Sequence, residues 1–335
     1  MQKSNMKVFH GLINYGTQAG MLALGLRKEG ICAKSFVWED PSKRMIDVDL
    51  SEKLSKVKYV RWLQELSFFL KCLKKYNIFH FYFGISFFPH NLDLPILKLF
   101  GKKIVMEYLG TDVDLWLGLN GRDWRNRPVN RLKLVKRVQK QAKQVDAQLV
   151  CSPHYYQFVD NSIILPLAID IEQYQYTPRN NEDEIITFMH CPTNRLAKKT
   201  DYIEAALNRL KEEGYKFNYK RIENVTHSQL KEEYKSADVI IDQLNHWYGT
   251  VSVEAMALGR PVVAGYYNHY LLYDDRFEGI PIIQADVKTI YQVLKDILDK
   301  KYDLKRIGEQ SRIFVEKVHS LEAVTKQLIG VYESL

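Results

Sequence analysis

Apolar positions along the chain come in short runs separated by stretches of helical period. Residues 6–12 (MKVFHGL) form the first run, followed by the loop INYGTQAG, the helical pattern MLALGLRKEG and a second run, ICAKSFVW. That order predicts strand, helix, strand. Further runs at 78–83, 103–108 and 147–151 continue the alternation, which implies a parallel sheet covered on both faces. The stretch 162–175 (SIILPLAIDIEQYQ) and the polar residues 177–184 (TPRNNEDE) break the rhythm and predict a domain boundary.

A second series then begins. Runs at 185–190, 218–222, 239–244 and 261–264 predict strands, and 200–213, 228–236 and 249–258 predict helices between them. After residue 280 the pattern is helical to the end, at 289–298, 303–318 and 321–335. The expected fold class is α/β, with two Rossmann-like doubly wound domains facing each other across a cleft and helices at the C-terminus. Domains are expected at 1–165 and 185–318, joined by a linker over 166–184. The last helix, 319–335, is expected to pack back toward the first domain.

Length supports the division, because 335 residues exceed the roughly 250–300 at which a single core stops growing. No apolar run reaches the roughly 18 residues of a membrane span, and no signal peptide is predicted. Cys32, Cys72, Cys151 and Cys191 lie far apart without metal-ligand spacing, which predicts free thiols in a reducing cytoplasm. The net charge of +8 conceals an asymmetry. Residues 1–150 hold 26 Lys and Arg against 13 Asp and Glu, a balance of +13; the remainder holds 22 against 27, a balance of −5.

The acidic half carries the most informative stretch, GTVSVEAMALG at 249–259. Gly259 occupies the position of a left-handed helix end and Pro261 cannot continue a helix, so the element is bounded and short. Val251, Val253, Ala255, Met256, Ala257 and Leu258 leave almost no polar face, with Glu254 the exception. A carboxylate there needs hydrogen bonds or a counter-charge. Two readings stand side by side: a ligand presenting hydroxyls, as a ribose does, or a structural Glu satisfied by a Lys or Arg. At the start of the helix, the N–H groups of Gly249, Thr250 and Val251 would carry the positive end of the dipole and suit phosphate or sugar oxygens. Upstream, CPTNRLAKKT places Arg195, Lys198 and Lys199 after a strand. They read as a diphosphate site or as a solvated basic turn, the latter preferred for Lys199. His190 reads as a satisfied strand-end histidine.

Together these stretches resemble the retaining glycosyltransferases of the two-domain GT-B fold, glycosyltransferase family 4, many of which build bacterial surface polysaccharides and glycolipids. The resemblance spans nearly the whole chain. It rests on residues 7–20, YLGTDV at 108–113, PLAIDIEQY at 166–174, HCPTNRLAKKT at 190–200, HSQLKEEYKSADVIIDQL at 227–244 and, most specifically, YGTVSVEAMALGRPVV at 248–263. It implies that Glu254 bonds the donor ribose and that Gly249, Thr250 and Val251, beside Tyr248, meet the donor's sugar and phosphate. Arg195 and Lys198, with Lys199, would neutralise the diphosphate and act in catalysis. Ile222 and Glu223 would lie at the base, Gly16 beside the diphosphate, and Asp112, as a catalytic residue, near the acceptor or the transferred sugar.

Two positions depart from the family pattern. His246 replaces the first Glu, which usually contacts the donor sugar's hydroxyls, and Leu109 stands where relatives often carry His. Asp242 and Gln243 are candidates to take over some of those polar contacts. The implied reaction is transfer with retention of configuration, from a UDP- or GDP-sugar used as substrate, without a cofactor or divalent metal. Asp112 and Asp114 form a DVD run, but in the wrong half for the phosphate site of this fold. A catalytically silent scaffold or binding subunit of a transferase complex is the second reading, motivated by His246.

The basic half suggests the acceptor side. Residues 122–143 (RDWRNRPVNRLKLVKRVQKQAK) are strongly basic, and 53–75 mix basic residues with Val60, Trp62, Leu63, Leu66, Phe69, Leu70 and Leu73. The latter reads as a basic amphipathic helix suited to an anionic inner membrane face, or as a helix covering a sheet. The expected partners are a nucleotide-sugar donor, a glycan or polyprenyl-diphosphate-linked acceptor and an anionic membrane surface. Trp124, Arg125 and Arg127 sit in no recognisable nucleic-acid module, so no nucleic-acid partner is expected.

Overall fold

The computed structural model describes residues 1–40, 45–110, 112–113, 131–177 and 185–335. The chain folds as two units, Met1–Ala168 with Leu321–Leu335, and Ile169–Ser320. It leaves the first unit at Ala168, within the stretch expected as a linker, and returns at Leu321. Residues 178–184 of that stretch lie outside the described residues.

The first unit runs β1 (Lys7–Leu12), α1 (Gln18–Lys28), β2 (Cys32–Val37), β3 (Val48–Asp49), α2 (Lys58–Lys75), β4 (Ile78–Tyr82), α3 (Leu94–Leu99), β5 (Lys103–Tyr108), α4 (Arg131–Ala142), β6 (Ala147–Val150), α5 (Pro153–Tyr156) and β7 (Ile163–Ile164). Its strands form one parallel sheet in the order β3-β2-β1-β4-β5-β6-β7. The second unit runs β8 (Ile186–His190), α6 (Arg195–Lys198), α7 (Thr200–Glu212), β9 (Phe217–Arg221), α8 (His227–Tyr234), β10 (Val239–Ile241), α9 (Thr250–Ala257), β11 (Val262–Ala264), β12 (Ile282–Gln284), α10 (Ile290–Leu298) and α11 (Leu304–Val318). Its parallel sheet has the order β12-β11-β10-β8-β9. The last helix, α12 (Leu321–Ser334), belongs to the first unit. In each sheet the order reverses once, beside β1 and beside β8, and such a reversal opens a crevice at the carboxyl ends of the strands.

Alternation along the strands decides what covers each face of the first sheet. Phe9, Phe79 and Phe81 pack into an aromatic cluster with Phe68 and Phe69 of α2 and with Phe87. Val8, Ile78, Tyr82 and Val105 join a core that includes Leu22 and Leu26 of α1 and Leu321, Val324 and Leu328 of α12. Gly25 permits that contact, because a Cβ there would stand 2.0 Å from Thr325 Oγ1.

A buried polar chain crosses the same core. His10 Nδ1 lies 2.6 Å from the Tyr82 hydroxyl, and His80 Nδ1 lies 2.6 Å from that of Tyr332 on α12. His80 Nε2 is 3.0 Å from Glu107 Oε2, and neither atom completes a hydrogen bond. The ring's other nitrogen is satisfied by Tyr332, so the Glu107 carboxyl is left without a donor that would hold it ionised. Burial acts in the same sense, pushing Glu107 up to about 8 and His80 down to about 3. The chain is therefore neutral at pH 7, and α12 is attached without a buried charge.

These shifts give stability a defined pH dependence. The folded Glu107 value lies above the ordinary 4.5, so stability falls as pH rises through about 8. The folded His80 value lies below 6.5, so stability falls as pH drops toward about 3. Above pH 6.5 only the carboxyl slope remains, to which Asp112, pushed up to about 7 by burial, adds with the same sign. The thermal midpoint should fall from about pH 6.5 to 8.5, and Glu107→Gln should remove at least half of that fall in melts followed by circular dichroism. An unchanged slope in the variant would refute the neutral arrangement.

Candidate functional site

The crevice of the second sheet opens where β8 and β10 pair, with His190 opposite Ile241. His190 is buried and satisfied, its Nδ1 2.8 Å from the Ile241 carbonyl and its Nε2 2.9 Å from Thr200 Oγ1. After β8 the Asn194 side chain caps α6, accepting from Ala197 N at 3.0 Å, and Lys199 ends the single turn in the left-handed region at φ 63°. That one turn separates two basic side chains. Lys198 points inward and Arg195 outward, 11% and 52% exposed.

Lys198 Nζ donates to Asp242, the residue that follows β10. The carboxylate also accepts from Gly249 N at 3.0 Å and from the Ser252 hydroxyl at 2.6 Å. Burial pushes this carboxyl up, but the Lys198 charge and the three hydrogen bonds outweigh burial and hold it below its ordinary value. Gly249 is the last residue before α9, and its bare Cα faces the same group. A Cβ there would lie 3.4 Å from Asp242 Oδ2, 3.5 Å from Gln243 Oε1 and 3.6 Å from Lys198 Nζ. The Gly249 amide assigned to the donor is thus already given to Asp242. Thr250 and Val251 supply first-turn amides that have no acceptor within the helix.

Glu254 is buried on α9, as the apolar run around it requires. Its Oε1 lies 2.6 Å from His227 Nε2, and its Oε2 accepts from the Tyr234 hydroxyl at 3.1 Å. Burial and, after it, the nearby Glu254 charge raise the Tyr174 hydroxyl far above its ordinary value, so a second tyrosine faces the same carboxylate. The partners are a histidine and tyrosines, where the sequence suggested a Lys or Arg as the structural alternative. The His227 side chain is 35% exposed and forms the outer member of the group. The chain does signal where α8 begins, since Thr226 and Gln229 form a capping box around it. Nothing in the linear pattern pairs His227 with Glu254.

Arg195 is engaged by Glu223, donating from Nε at 2.8 Å and from a terminal nitrogen at 2.6 Å. Those bonds hold the Glu223 carboxyl below its ordinary value. Arg221 approaches Glu223 at 3.0 Å and Glu204 at 2.5 Å. Ile222 extends the β8 pairing through its amide, which donates to the His190 carbonyl at 3.0 Å. Arg195, Ile222 and Glu223 are therefore neighbours at the end of β9.

Two further expected donor residues have aromatic neighbours. His246 packs its ring 5.0 Å from that of Tyr267. Tyr248 is buried, with its hydroxyl 2.8 Å from His319 Nε2 and its ring stacked on Trp247. Its side chain serves the interior of the second unit.

In the first unit, Gly16 lies between β1 and α1 at φ 54°, where glycine is favoured, and its carbonyl accepts from the Gln18 side chain at 3.0 Å. Asp112 is buried beyond β5 and accepts from Gly110 N at 2.7 Å and Leu109 N at 3.2 Å, while its carbonyl accepts from Arg137 at 2.6 Å. Its carboxylate is used to hold the backbone of the YLG turn. Asp114, Trp124, Arg125 and Arg127 lie outside the described residues. Among the described residues no group of three or more His, Cys, Asp or Glu side chains could hold a metal ion.

The outer surface of the first unit is apolar and basic. On α2, Phe69, Cys72 and Leu73 are buried, whereas Tyr59, Trp62, Leu63 and Leu70 are exposed among Lys58, Arg61, Lys71 and Lys74. Leu99 and Phe100 at the end of α3, and Leu132 on α4, are exposed as well. Among the described residues no helix is long and apolar enough to cross a membrane.

No family model matches the chain. No curated protein matches it either. Solved structures do match. A glycosyltransferase from Rickettsia africae superposes with a TM-score of 0.66 at 13% identity, covering 98% of both chains. HepE of Anabaena, solved in complex with UDP-glucose, gives a TM-score of 0.66 at 11% identity over 98% of this chain and 100% of its own. WaaB, a lipopolysaccharide outer core galactosyltransferase, gives 0.61 at 9% identity over 98% and 99%. The fold of the chain is that of the GT-B glycosyltransferases.

Proposed function

We propose that this protein is a metal-independent glycosyltransferase that moves a sugar, with retention of configuration, from a UDP- or GDP-sugar to a glycan or polyprenyl-diphosphate-linked acceptor. The setting we infer is the synthesis of cell-surface polysaccharide or glycolipid, at the cytoplasmic side of the membrane. The observation that carries this reading is the start of α9, where the Lys198 ammonium lies beside Gly249 and Thr250 and Val251 open the helix. The UDP-glucose complex of the similarly folded HepE supports it.

Transfer requires the departing nucleoside diphosphate to gain negative charge. Lys198 and the Thr250 and Val251 amides are suited to stabilise that charge in place, with no reorganisation at the moment of reaction. Arg195 can join them by exchanging Glu223 for phosphate, and Lys199 flanks the same turn. Glu254 with His227 offers acceptor and donor atoms for the two ribose hydroxyls. Asp112, whose carboxylate accepts from the Leu109 and Gly110 amides, lies near the acceptor or the transferred sugar in this reading. A silent binding subunit remains the second reading, since His246 faces Tyr267 and brings no carboxylate to the start of α9.

Calorimetric titration with UDP and GDP tests the donor assignment. One of the two should bind, and Glu254→Ala should weaken it at least tenfold, about 1.4 kcal/mol. Unchanged affinity in the variant would remove Glu254 from the ribose. Release of nucleotide from the matching sugar donor distinguishes the enzyme from the silent subunit, which binds without turnover.

The exposed face of α2 supports attachment to an anionic bilayer, because aromatic and aliphatic side chains can enter the interface while each nearby Lys or Arg adds about 1 kcal/mol. In flotation assays the protein should bind anionic vesicles at low salt and release them at high salt. The double variant Trp62→Ser, Leu63→Ser should bind at least about fivefold more weakly, the size expected for losing about 1 kcal/mol of apolar insertion. Equal binding to zwitterionic vesicles, or none to anionic ones, would end this assignment.

A further inference from the structure

Asp242 joins three parts of the second unit that are separate in sequence. Lys198 comes from α6, Gly249 from the turn before α9 and Ser252 from inside α9, and all three donate to one carboxylate that is 1% exposed. A second tie runs parallel to it, from the Asn245 side chain to the Ala197 carbonyl at the end of α6. The carboxylate therefore does not face a bound sugar. It fixes the distance between the Lys198 ammonium and the first turn of α9.

We propose that Asp242 is the positioning residue of a diphosphate-binding site, holding Lys198 and the opening turn of α9 in the one arrangement that meets the phosphates of a nucleoside diphosphate. The inference rests on the donor assignment made above. An ammonium has three N–H donors, and only one is spent on Asp242. The others stay available to phosphate oxygens while the pair persists. A buried cation deprived of its counter-ion is strongly disfavoured, so removing Asp242 displaces Lys198 as well as uncapping α9.

The proposed role is confined to the phosphates, which gives it a signature that a loss of fold would not produce. Asp242→Asn keeps the shape and the acceptor for Gly249 N but turns a donor toward Lys198. It should weaken UDP or GDP at least tenfold while leaving the corresponding nucleoside, titrated alongside, within twofold of wild type. Ser252→Ala removes one donor without touching the ion pair and should shift the diphosphate affinity by less than threefold. In a double-mutant cycle, Asp242→Asn should have at most a twofold effect once Lys198 is already Met, because both changes act through the same ammonium.

Equal weakening of nucleoside and diphosphate would overturn the proposal in favour of a purely structural carboxylate. So would full additivity with Lys198→Met, or diphosphate affinity left unchanged in Asp242→Asn. If that variant fails to fold, the Lys198→Met and Ser252→Ala pair carries the test: Lys198→Met must show the same selective loss of diphosphate over nucleoside. A wild-type protein that binds neither UDP nor GDP would instead overturn the donor assignment itself, and this inference with it.

Discussion

The second unit depends on how a buried carboxylate at the end of β10 is kept charged. Taking Asp242 out of water is unfavourable by several kcal/mol unless donors replace the lost hydration. The chain supplies three, and each fixes a different element. Lys198 can reach it because Asn194 starts α6 and Lys199 ends it after one turn. Gly249 reaches it through its backbone amide, which donates at 3.0 Å. Ser252 lies within α9, the helix that also carries Glu254 toward His227 and Tyr234. One ionised group thus ties α6 to the start of α9.

The two units treat buried acids in opposite ways. In the first unit Glu107 faces the His80 ring, and burial drives it toward the neutral form. That arrangement secures α12 through Tyr332 and leaves no field to act on a ligand. In the second unit Lys198 reverses the effect of burial on Asp242. The result is a fixed dipole at the mouth of a sheet crevice, the place where open α/β sheets bind their ligands.

Much of this was legible in the sequence, and the parts that were not share a cause. The bounds of α9 follow from Gly249, Gly259 and Pro261, residues whose backbone preferences act locally. The isolation of Glu254 is equally local, since it is a single acid in an apolar run. Its partners are not, because His227 and Tyr234 come from α8, more than two strands' length of chain away. The basic turn after β8 was readable as basic, but not the division of labour within it. Arg195 and Lys198 differ by three residues, and it is their partners, Glu223 and Asp242, that draw one outward and the other inward. Tyr248 illustrates the limit most directly: it stands one residue before Gly249, yet His319, 71 residues on, claims its hydroxyl. Gly25 reads as a weak point in a helix until α12 is seen to press against it.

That division of labour also bears on how a diphosphate could be taken up. The pair of Arg195 with Glu223 is about half exposed on the arginine side, and solvent screens such surface pairs strongly. Exchanging Glu223 for a phosphate therefore costs little, and a guanidinium can meet phosphate oxygens in the same bidentate manner. The pair of Lys198 with Asp242 is buried, and breaking it would leave two uncompensated charges. Lys198 is accordingly the fixed cation, present before any ligand arrives, and Arg195 the recruitable one. A donor bound this way meets a site whose central charge is already oriented, while the outer charge moves from a carboxylate at the end of β9 to the phosphate itself.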